Sequence, residues 1–346
     1  MAVYLGPINP HFEQLVICLR DAGVEVNQTK LRGFLPLIRS KIEHRQAHIL
    51  HLHWLTSFWL SPKSYKSWFK SVQFWVELII LRMLGMKLVW TIHNKHQHEQ
   101  KQPGLEKLNQ VIVGRLIDQV IVHCEQARSF AEKLTSSKVE VIGHSHYIDV
   151  YPNKISRTEA RKKLGFSEKD KVLLFFGNLR PYKGVEKLIR VFGELQTKNT
   201  VLVLAGWAAN DYYKKLKGLA EKMTKVVLVA KHIPQDEVEV FFNAAEVVVL
   251  PFNEVLSSGS LMLAFSFAKP VVAPKVGCVG ELLKETGGFP YDPKDNNALK
   301  RTLLKAIATE TKVLELMGKK NLEIARSVSP VKEAMEHKKI YSRLIG

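Results

Sequence analysis

Two cations three residues apart, Arg180 and Lys183, stand just before a glycine and an amphipathic run in Phe175–Phe192, FFGNLRPYKGVEKLIRVF. Val185, Leu188, Ile189 and Phe192 recur there at helical spacing. Cations facing a helix start suit a phosphate group, because the first-turn N–H groups and the positive dipole end point the same way. An ordinary turn with solvated Arg and Lys has the same pattern. Further on, Ser257-Ser258-Gly259-Ser260 opens an apolar run through Leu261, Met262, Ala264 and Phe265 to Ala268. Small residues at a helix start let a diphosphate approach the amides, with hydroxyls as added donors, although a capped helix alone also reads this way. A third kind of chemistry is offered by histidines that follow apolar runs, since imidazole titrates near neutrality and serves as acid or base.

These residues need strands to hold them. Val172–Phe176 is short and β-rich, and Gly177 ends it; Val247–Pro251 reads as a second buried strand, followed by a loop Phe252–Leu256. The second helix closes at Lys269-Pro270, and Val271–Pro274 is the next strand. Val201–Ala205, Tyr212–Met223, Val226–Val229 and Gln235–Ala244 continue the alternation of strand and helix. The first half begins in the same way. Ala2–Gly6 is a strand, a helix carries Phe12, Leu15, Val16 and Leu19 to Gly23, and Val24–Val26 starts another strand. Leu88–Ile92, Val120–His123 and Val139–Ile142 follow. The pattern predicts two doubly wound α/β domains, residues 1–150 and 151–329, with Tyr147–Pro152 as linker. Gly6, at the C-terminal end of the first strand, lies where such sheets bind ligands.

At 346 residues the chain is long enough for two cores, and 46% apolar with 24% charged residues fits a globular protein. A net charge of +18 calls for an anionic partner. Residues 28–100 hold 11 Lys and Arg against 3 acidic residues, with no Asp. No nucleic-acid module or repeat accompanies this charge, so a specific nucleic-acid partner is not expected. Instead Phe58, Trp59, Tyr65, Trp68, Phe69, Phe74 and Trp75 alternate with Lys63, Lys66 and Lys70, and a strongly apolar stretch to Leu84 follows. That composition suits contact with an anionic membrane surface for the Trp/Lys part, with Phe74–Leu84 as a core helix. Phe74–Trp90 is interrupted by Glu77, Arg82 and Lys87 and is too short to span a bilayer. The expectation is a cytoplasmic protein, peripheral on the inner face of the membrane, with no signal peptide. The three cysteines offer no zinc-ligand spacing.

Eleven of the thirteen histidines precede residue 150, mostly at strand ends. His51 and His53 share a face but lack a third ligand at standard spacing; packing is expected of His51, and an active role of His53 and Trp54. His93 opens the loop after Leu88–Ile92 and is the best single catalytic candidate. A zinc cluster of His93, His96, His98 and Glu99 is the weaker alternative, since HxxHxH lacks the helical spacing of zinc hydrolases. No metal or other cofactor is expected.

Taken together, FGNLRPYKGVEKLI and SSGSLMLAFSFAKPVVAP resemble the nucleotide-sugar half of family 4 glycosyltransferases of the GT-B fold. TIHNKHQHE, His53-Trp54 and YIDVYP resemble one subgroup of that family. The resemblance implies two Rossmann-like domains facing across a cleft, with the last helix, from about Pro330, returning to the first. It implies retaining transfer from a nucleotide-diphosphate sugar, the co-substrate, to a lipid-linked or polysaccharide acceptor. Donor contacts fall on Gly6, Arg180, Lys183, Glu254, Ser258, Gly259, Ser260 and Glu281, acceptor contacts on His53, Trp54 and Asn94, and catalysis on His93. Glu281 serves equally as a cap for a helix Glu281–Lys284. The sequence departs from the family at a pair of Glu eight positions apart: Val255 and Leu263 stand there, with Glu254 one place from the first. A non-catalytic sugar-nucleotide or glycan-binding protein on the same fold is the alternative.

Overall fold

Strands of the second half are apolar on both faces, and the computed structural model shows why: each belongs to a parallel sheet covered on both sides. The structure describes residues 2–5, 10–28, 33–96, 102–195 and 197–346, with side chains except at 2–5 and 284–286. Gly6, His98 and Glu99 lie outside the described residues. The chain divides into two compact units, Met1–His144 with Ser329–Gly346, and Ser145–Val328.

In the first unit β1 (Ala2–Leu5), β2 (Val26–Gln28), β3 (Ile49–Leu52), β4 (Lys87–Thr91), β5 (Gln119–Val122) and β6 (Lys138–Val141) form one sheet in the order β2-β1-β3-β4-β5-β6. All pairings are parallel, with Leu52 beside Trp90 and Thr91 beside Ile121. Helix Pro10–Asp21 turns Phe12, Leu15, Val16 and Leu19 inward onto Ile49, Val89 and Ile121. Helix Pro330–Ile345, its N-terminus capped by Ser329 Oγ accepting from the Lys332 amide at 3.1 Å, adds Ala334, Ile340 and Tyr341 to the same cluster. Full burial of each such side chain is worth ~1.5–3 kcal/mol.

Helix Ser64–Met83 differs from the sequence reading in one respect. The boundary between buried and exposed apolar residues runs along the helix, not across it. Phe74, Leu78 and Leu81 are buried, whereas Tyr65, Trp68, Phe69, Val72, Val76, Ile79 and Met83 form an exposed stripe down the opposite face. Phe69 is 63% exposed and Met83 82%. The reason is helical periodicity: every third or fourth residue turns outward whatever its neighbours are. Glu77, buried on the inner face, accepts from the amides of Leu37 (2.8 Å) and Ile38 (3.2 Å), satisfying the start of helix Pro36–Glu43.

The second unit holds β7 (Lys171–Phe176), β8 (Thr200–Ala205), β9 (Val226–Val229), β10 (Val247–Val249), β11 (Val271–Pro274) and β12 (Phe289–Tyr291), in the order β12-β11-β10-β7-β8-β9. Alternation assigns the faces: Val172, Leu174, Val201, Val203 and Val248 pack to one side, and Leu173, Phe175, Leu202, Leu204 and Val249 to the other. Residues 145–152 pack with this unit. The Tyr147 amide donates to Ser266 Oγ at 2.9 Å, and Tyr147 enters its core. In both sheets the strand order reverses beside the first strand, which is where doubly wound sheets form their ligand crevice.

Candidate functional site

In the second unit the reversal lies between β7 and β10, and the loops leaving those two strands carry the expected donor residues. Gly177 leaves β7 with φ of 126°, a backbone that L side chains rarely adopt. A Cβ built there would lie 3.0 Å from Lys183 Nζ and 3.3 Å from Ser260 Oγ. The ammonium from the first loop and the hydroxyl from the second thus converge on the bare backbone of Gly177. The loops are also tied together, since the Asn253 amide donates to Tyr182 O at 3.0 Å and Asn253 Nδ2 to Pro181 O at 3.2 Å.

Lys183 is half-buried, and its ammonium lies 5.9 Å from the centre of the Phe175 ring. Burial, then the neighbouring Arg180, lower its pKa to about 8. An anion at this spot would favour the charged form and raise the pKa again. Arg180 caps and Lys183 ends a single 3-10 turn, Pro181–Lys183, which closes on Gly184 with φ of 72° before helix Val185–Gly193 begins. Helix Gly259–Ser266 starts at Ser258, whose Oγ accepts from the Leu261 amide at 3.2 Å. That bond occupies an acceptor lone pair and leaves the hydroxyl hydrogen as a donor, beside Gly259 and Ser260 in the first turn. Glu254 is exposed in the loop after β10. Glu281 lies inside helix Gly277–Thr286, which begins four residues earlier than the sequence indicated, so it does not cap a helix start. The early start comes from the contact of Gly277 with the loop after β10, where the Cys278 amide donates to Leu256 O at 2.8 Å.

In the first unit four expected residues share one cavity of about 150 Å³: His53 and Trp54 after β3, and His93 and Asn94 after β4. Trp59, Trp90 and the polar side chains Glu106, Asn109 and Gln110 of helix Pro103–Leu116 complete its lining. Trp54 stacks on His93, ring centres 4.4 Å apart and ring planes nearly parallel at 12°. Gln110 Nε2 donates to Lys95 O at 2.7 Å and holds the loop after β4, while Trp75 Nε1 donates to Asn109 Oδ1 at 2.9 Å. An aromatic floor with a few buried amide, carboxylate and imidazole groups suits a hydroxylated ligand.

The histidines form a row. His53 Nδ1 lies 2.9 Å from His93 Nε2, His93 Nδ1 lies 3.2 Å from His123 Nε2, and His123 Nδ1 lies 2.9 Å from the Ile142 carbonyl. Successive ring centres are 5.2 and 5.0 Å apart, close to the ~4.7–4.9 Å spacing of the strands that carry them. Burial holds all three below the usual imidazole range, His53 and His93 well below it and His123 at about 4, where the Glu333 carboxylate opposes the shift. His51 has a packing role: its nitrogens lie 2.6 Å from Tyr341 Oη and 2.7 Å from Thr91 Oγ1. Behind the row, His11 Nε2 pairs with Glu333 Oε2 at 3.0 Å. Among the described residues no group of His, Cys, Asp and Glu has the arrangement of a metal site.

His123 and Glu333 were not singled out from the sequence. The signal for His123 was its place at the end of an apolar strand, shared with His53 and His93. That for Glu333 was its spacing from Ala334, His337, Ile340 and Tyr341, on the inward face of the last helix.

Residues 156–323 match the family described as glycosyl transferases group 1. A GDP-mannose:glycolipid 4-beta-D-mannosyltransferase of Xanthomonas campestris pv. campestris is 26% identical over 303 residues, covering 86% of this chain and 80% of that protein. The fold is similar to that of a sucrose-phosphate synthase from Thermosynechococcus elongatus (TM-score 0.79, 17% identity, 99% of this chain and 98% of the other). It is also similar to Anabaena Alr3699/HepE in complex with UDP-glucose (TM-score 0.75, 17% identity, 99% of both chains).

Proposed function

We propose that this chain, a nucleotide-sugar-dependent glycosyltransferase on the GT-B fold, transfers a hexose to a lipid-linked or polysaccharide acceptor at the inner face of a membrane. The observation that carries the donor half is the convergence of Lys183 Nζ and Ser260 Oγ on Gly177, at the reversal of the sheet. Negative charge grows on the diphosphate as the glycosidic bond breaks. Arg180, Lys183 and the donors at Ser258–Ser260 oppose that charge from fixed positions, which lowers the barrier. Glu254 and Glu281 are assigned to sugar or ribose hydroxyls. The cavity of the first unit takes the acceptor, with His53, Trp54 and Asn94 in contact and His93 in the catalytic role.

The membrane assignment rests on helix Ser64–Met83. Its exposed stripe places Trp68 and Phe69 beside Lys63, Lys66 and Lys70, all exposed. Aromatic side chains with lysines around them match an interface of acyl chains and anionic headgroups. No described helix is long and apolar enough to cross a membrane. A lipid-linked acceptor accords with the relative named for a glycolipid.

The family resemblance implies retention at the anomeric carbon. A second reading, inversion, is favoured by the same relative, whose name pairs GDP-mannose with a 4-beta product; GDP-mannose carries its sugar in the α configuration. The anomeric configuration of the product, read by proton NMR, separates the two.

The donor reading is tested by thermal melting against UDP, GDP, ADP and dTDP, with GDP expected first, repeated with Arg180→Ala. A nucleotide at 100 times its Kd stabilises by ~2.7 kcal/mol, a visible shift. One nucleotide raising the melting temperature of the wild type but not of the variant supports the reading. No shift with any of the four overturns it.

A further inference from the structure

We propose that His53, His93 and His123 are a three-member proton relay, in which His53 takes the proton of the acceptor hydroxyl and His123 stores it. The inference deepens the reading of the cavity as the acceptor site and rests on it and on the inverting reading of the transfer.

Hydrogen-bond direction along the row follows from its inner end. A backbone carbonyl only accepts, so His123 Nδ1 carries a hydrogen and donates to Ile142. In neutral His123, Nε2 is then a lone pair, and the contact with His93 Nδ1 requires the hydrogen on His93. His93 Nε2 is in turn a lone pair and accepts from His53 Nδ1–H. One carbonyl thus fixes three tautomers, and the basic atom at the outer end is His53 Nε2. Both ring nitrogens of His93 are engaged within the row, which makes His93 the conducting member and His53 the base. Both line the cavity, whereas His123 is not part of its lining.

The transfer balances. The acceptor oxygen bonds to the anomeric carbon as the bond from that carbon to the diphosphate oxygen breaks, and the bonding pair leaves with the diphosphate. The hydroxyl proton passes to His53 Nε2, the Nδ1 proton of His53 to His93 Nε2, and the Nδ1 proton of His93 to His123 Nε2. Charge comes to rest on His123, hydrogen-bonded to Ile142 and within the field of the buried Glu333 carboxylate. His11, His51, His144 and His337 also surround the row, and the buried Glu106 carboxyl lines the cavity with His53 and His93. After product release the Nε2 proton of His123 returns to His93 Nδ1, that of His93 to His53 Nδ1, and His53 Nε2 gives up the acceptor's proton to water, which restores the resting tautomers. A base on the acceptor side serves inversion; in front-face retention the leaving diphosphate takes the proton itself.

The test uses the full chain with 15N-labelled histidine and no added ligand. Imidazole nitrogen shifts are expected to show the Nδ1–H tautomer at His53, His93 and His123, and on acidification His123 is expected to become imidazolium before His53. Glu333→Gln is expected to lower the apparent pKa of His123 by a unit or more. An Nε2–H tautomer at His93, or protonation of His53 ahead of His123, overturns the relay. His123→Gln keeps an oxygen acceptor for His93 but holds no proton. With the nucleotide sugar chosen by the melting panel and water as acceptor, its kcat is expected to fall ~100-fold. The melting shift with nucleotide is expected to stay unchanged. Wild-type turnover in His123→Gln together with loss in His53→Ala sinks the relay alone, whereas wild-type turnover in both His53→Ala and Trp54→Ala sinks the acceptor-site reading.

Discussion

Gly184 lies directly against the backbone of Pro251, so closely that a Cβ on Gly184 would overlap the Pro251 carbonyl oxygen. This contact presses the turn carrying Arg180 and Lys183 against the start of the loop that leads to Ser258 and Ser260. With φ at 72°, the position also sits in the left-handed region. Gly184→Ala is therefore expected to cost at least the ~1–2 kcal/mol of left-handed strain, with the overlap added. Melting should fall by several degrees and the nucleotide-dependent shift should disappear. An unchanged shift would mean that the two loops do not need each other.

Lys183 makes opposite predictions for stability and for binding in one pH window. Its pKa is about 8 in the folded protein against 10.5 for a fully solvated lysine. Between these values the unfolded chain binds more protons, so this group makes stability rise with pH. Nucleotide affinity should fall over the same range, because the diphosphate prefers the ammonium. Lys183→Met should flatten both trends relative to the wild type. Isothermal titration from pH 7 to 10 reads the binding arm, and denaturant melts read the other.

The first unit should be sensitive to acid. His51, His53, His93, His123 and His337 are buried, and burial holds each below its unfolded value. As pH falls through 6.5 the unfolded chain takes up protons that the folded unit refuses, and stability is lost at up to ~1.4 kcal/mol per pH unit for each such histidine. Hydrogen exchange between pH 7 and 5 should show amides of β3, β4 and β5 losing protection well before those of β7 and β8.

Glu333 adds a separate acid limb. Burial acts to raise its pKa, but the His11 ring bonded to it, with His337 and His144, outweighs burial and holds the carboxyl well below the usual range. Its contribution is present above the unfolded value near 4.5 and is lost as pH falls towards the folded one. Glu333→Gln should lack this limb and be destabilised at neutral pH by a few kcal/mol, on the scale of ~3–5 kcal/mol for breaking a buried pair.

Binding to vesicles should follow the exposed stripe. Trp68→Ser with Phe69→Ser is expected to abolish sedimentation with anionic vesicles and leave nucleotide binding intact. Replacing Lys63, Lys66 and Lys70 by Gln should weaken it ~100-fold, at about 1 kcal/mol per charge. Equal binding to neutral and anionic vesicles would contradict the assignment.

Much of this architecture was legible in the sequence because parallel strands are locally distinctive. Val172–Phe176 and Val271–Pro274 are short apolar runs bounded by Gly or Pro, and both are strands. Residues local to a turn, such as Arg180, Lys183 and Gly184, were legible for the same reason. What escaped depends on pairing between distant strands. His53, His93 and His123 each read as a strand end, but their alignment requires that β3, β4 and β5 be neighbours, and no short stretch encodes that order. The pairing of His11 with Glu333 spans 322 positions. Helix Ser64–Met83 misled the reading because composition changes along its length while burial changes around its axis.

The chain leaves the first unit at His144 and re-enters it at Ser329, so the second unit is an insertion within the first. On the ribosome this reverses the usual order in which domains mature. Residues 145–328 have all been synthesised while the first unit still lacks helix Pro330–Ile345, and with it Glu333, His337 and Tyr341. Until those side chains emerge, His11 and His51 stand without the carboxylate and hydroxyl they meet in the finished protein. On the proposed assignment of donor and acceptor sites, the unit that binds nucleotide is expected to be assembled before the unit that offers the acceptor has closed its core, so a nascent chain should gain donor affinity before transferase activity.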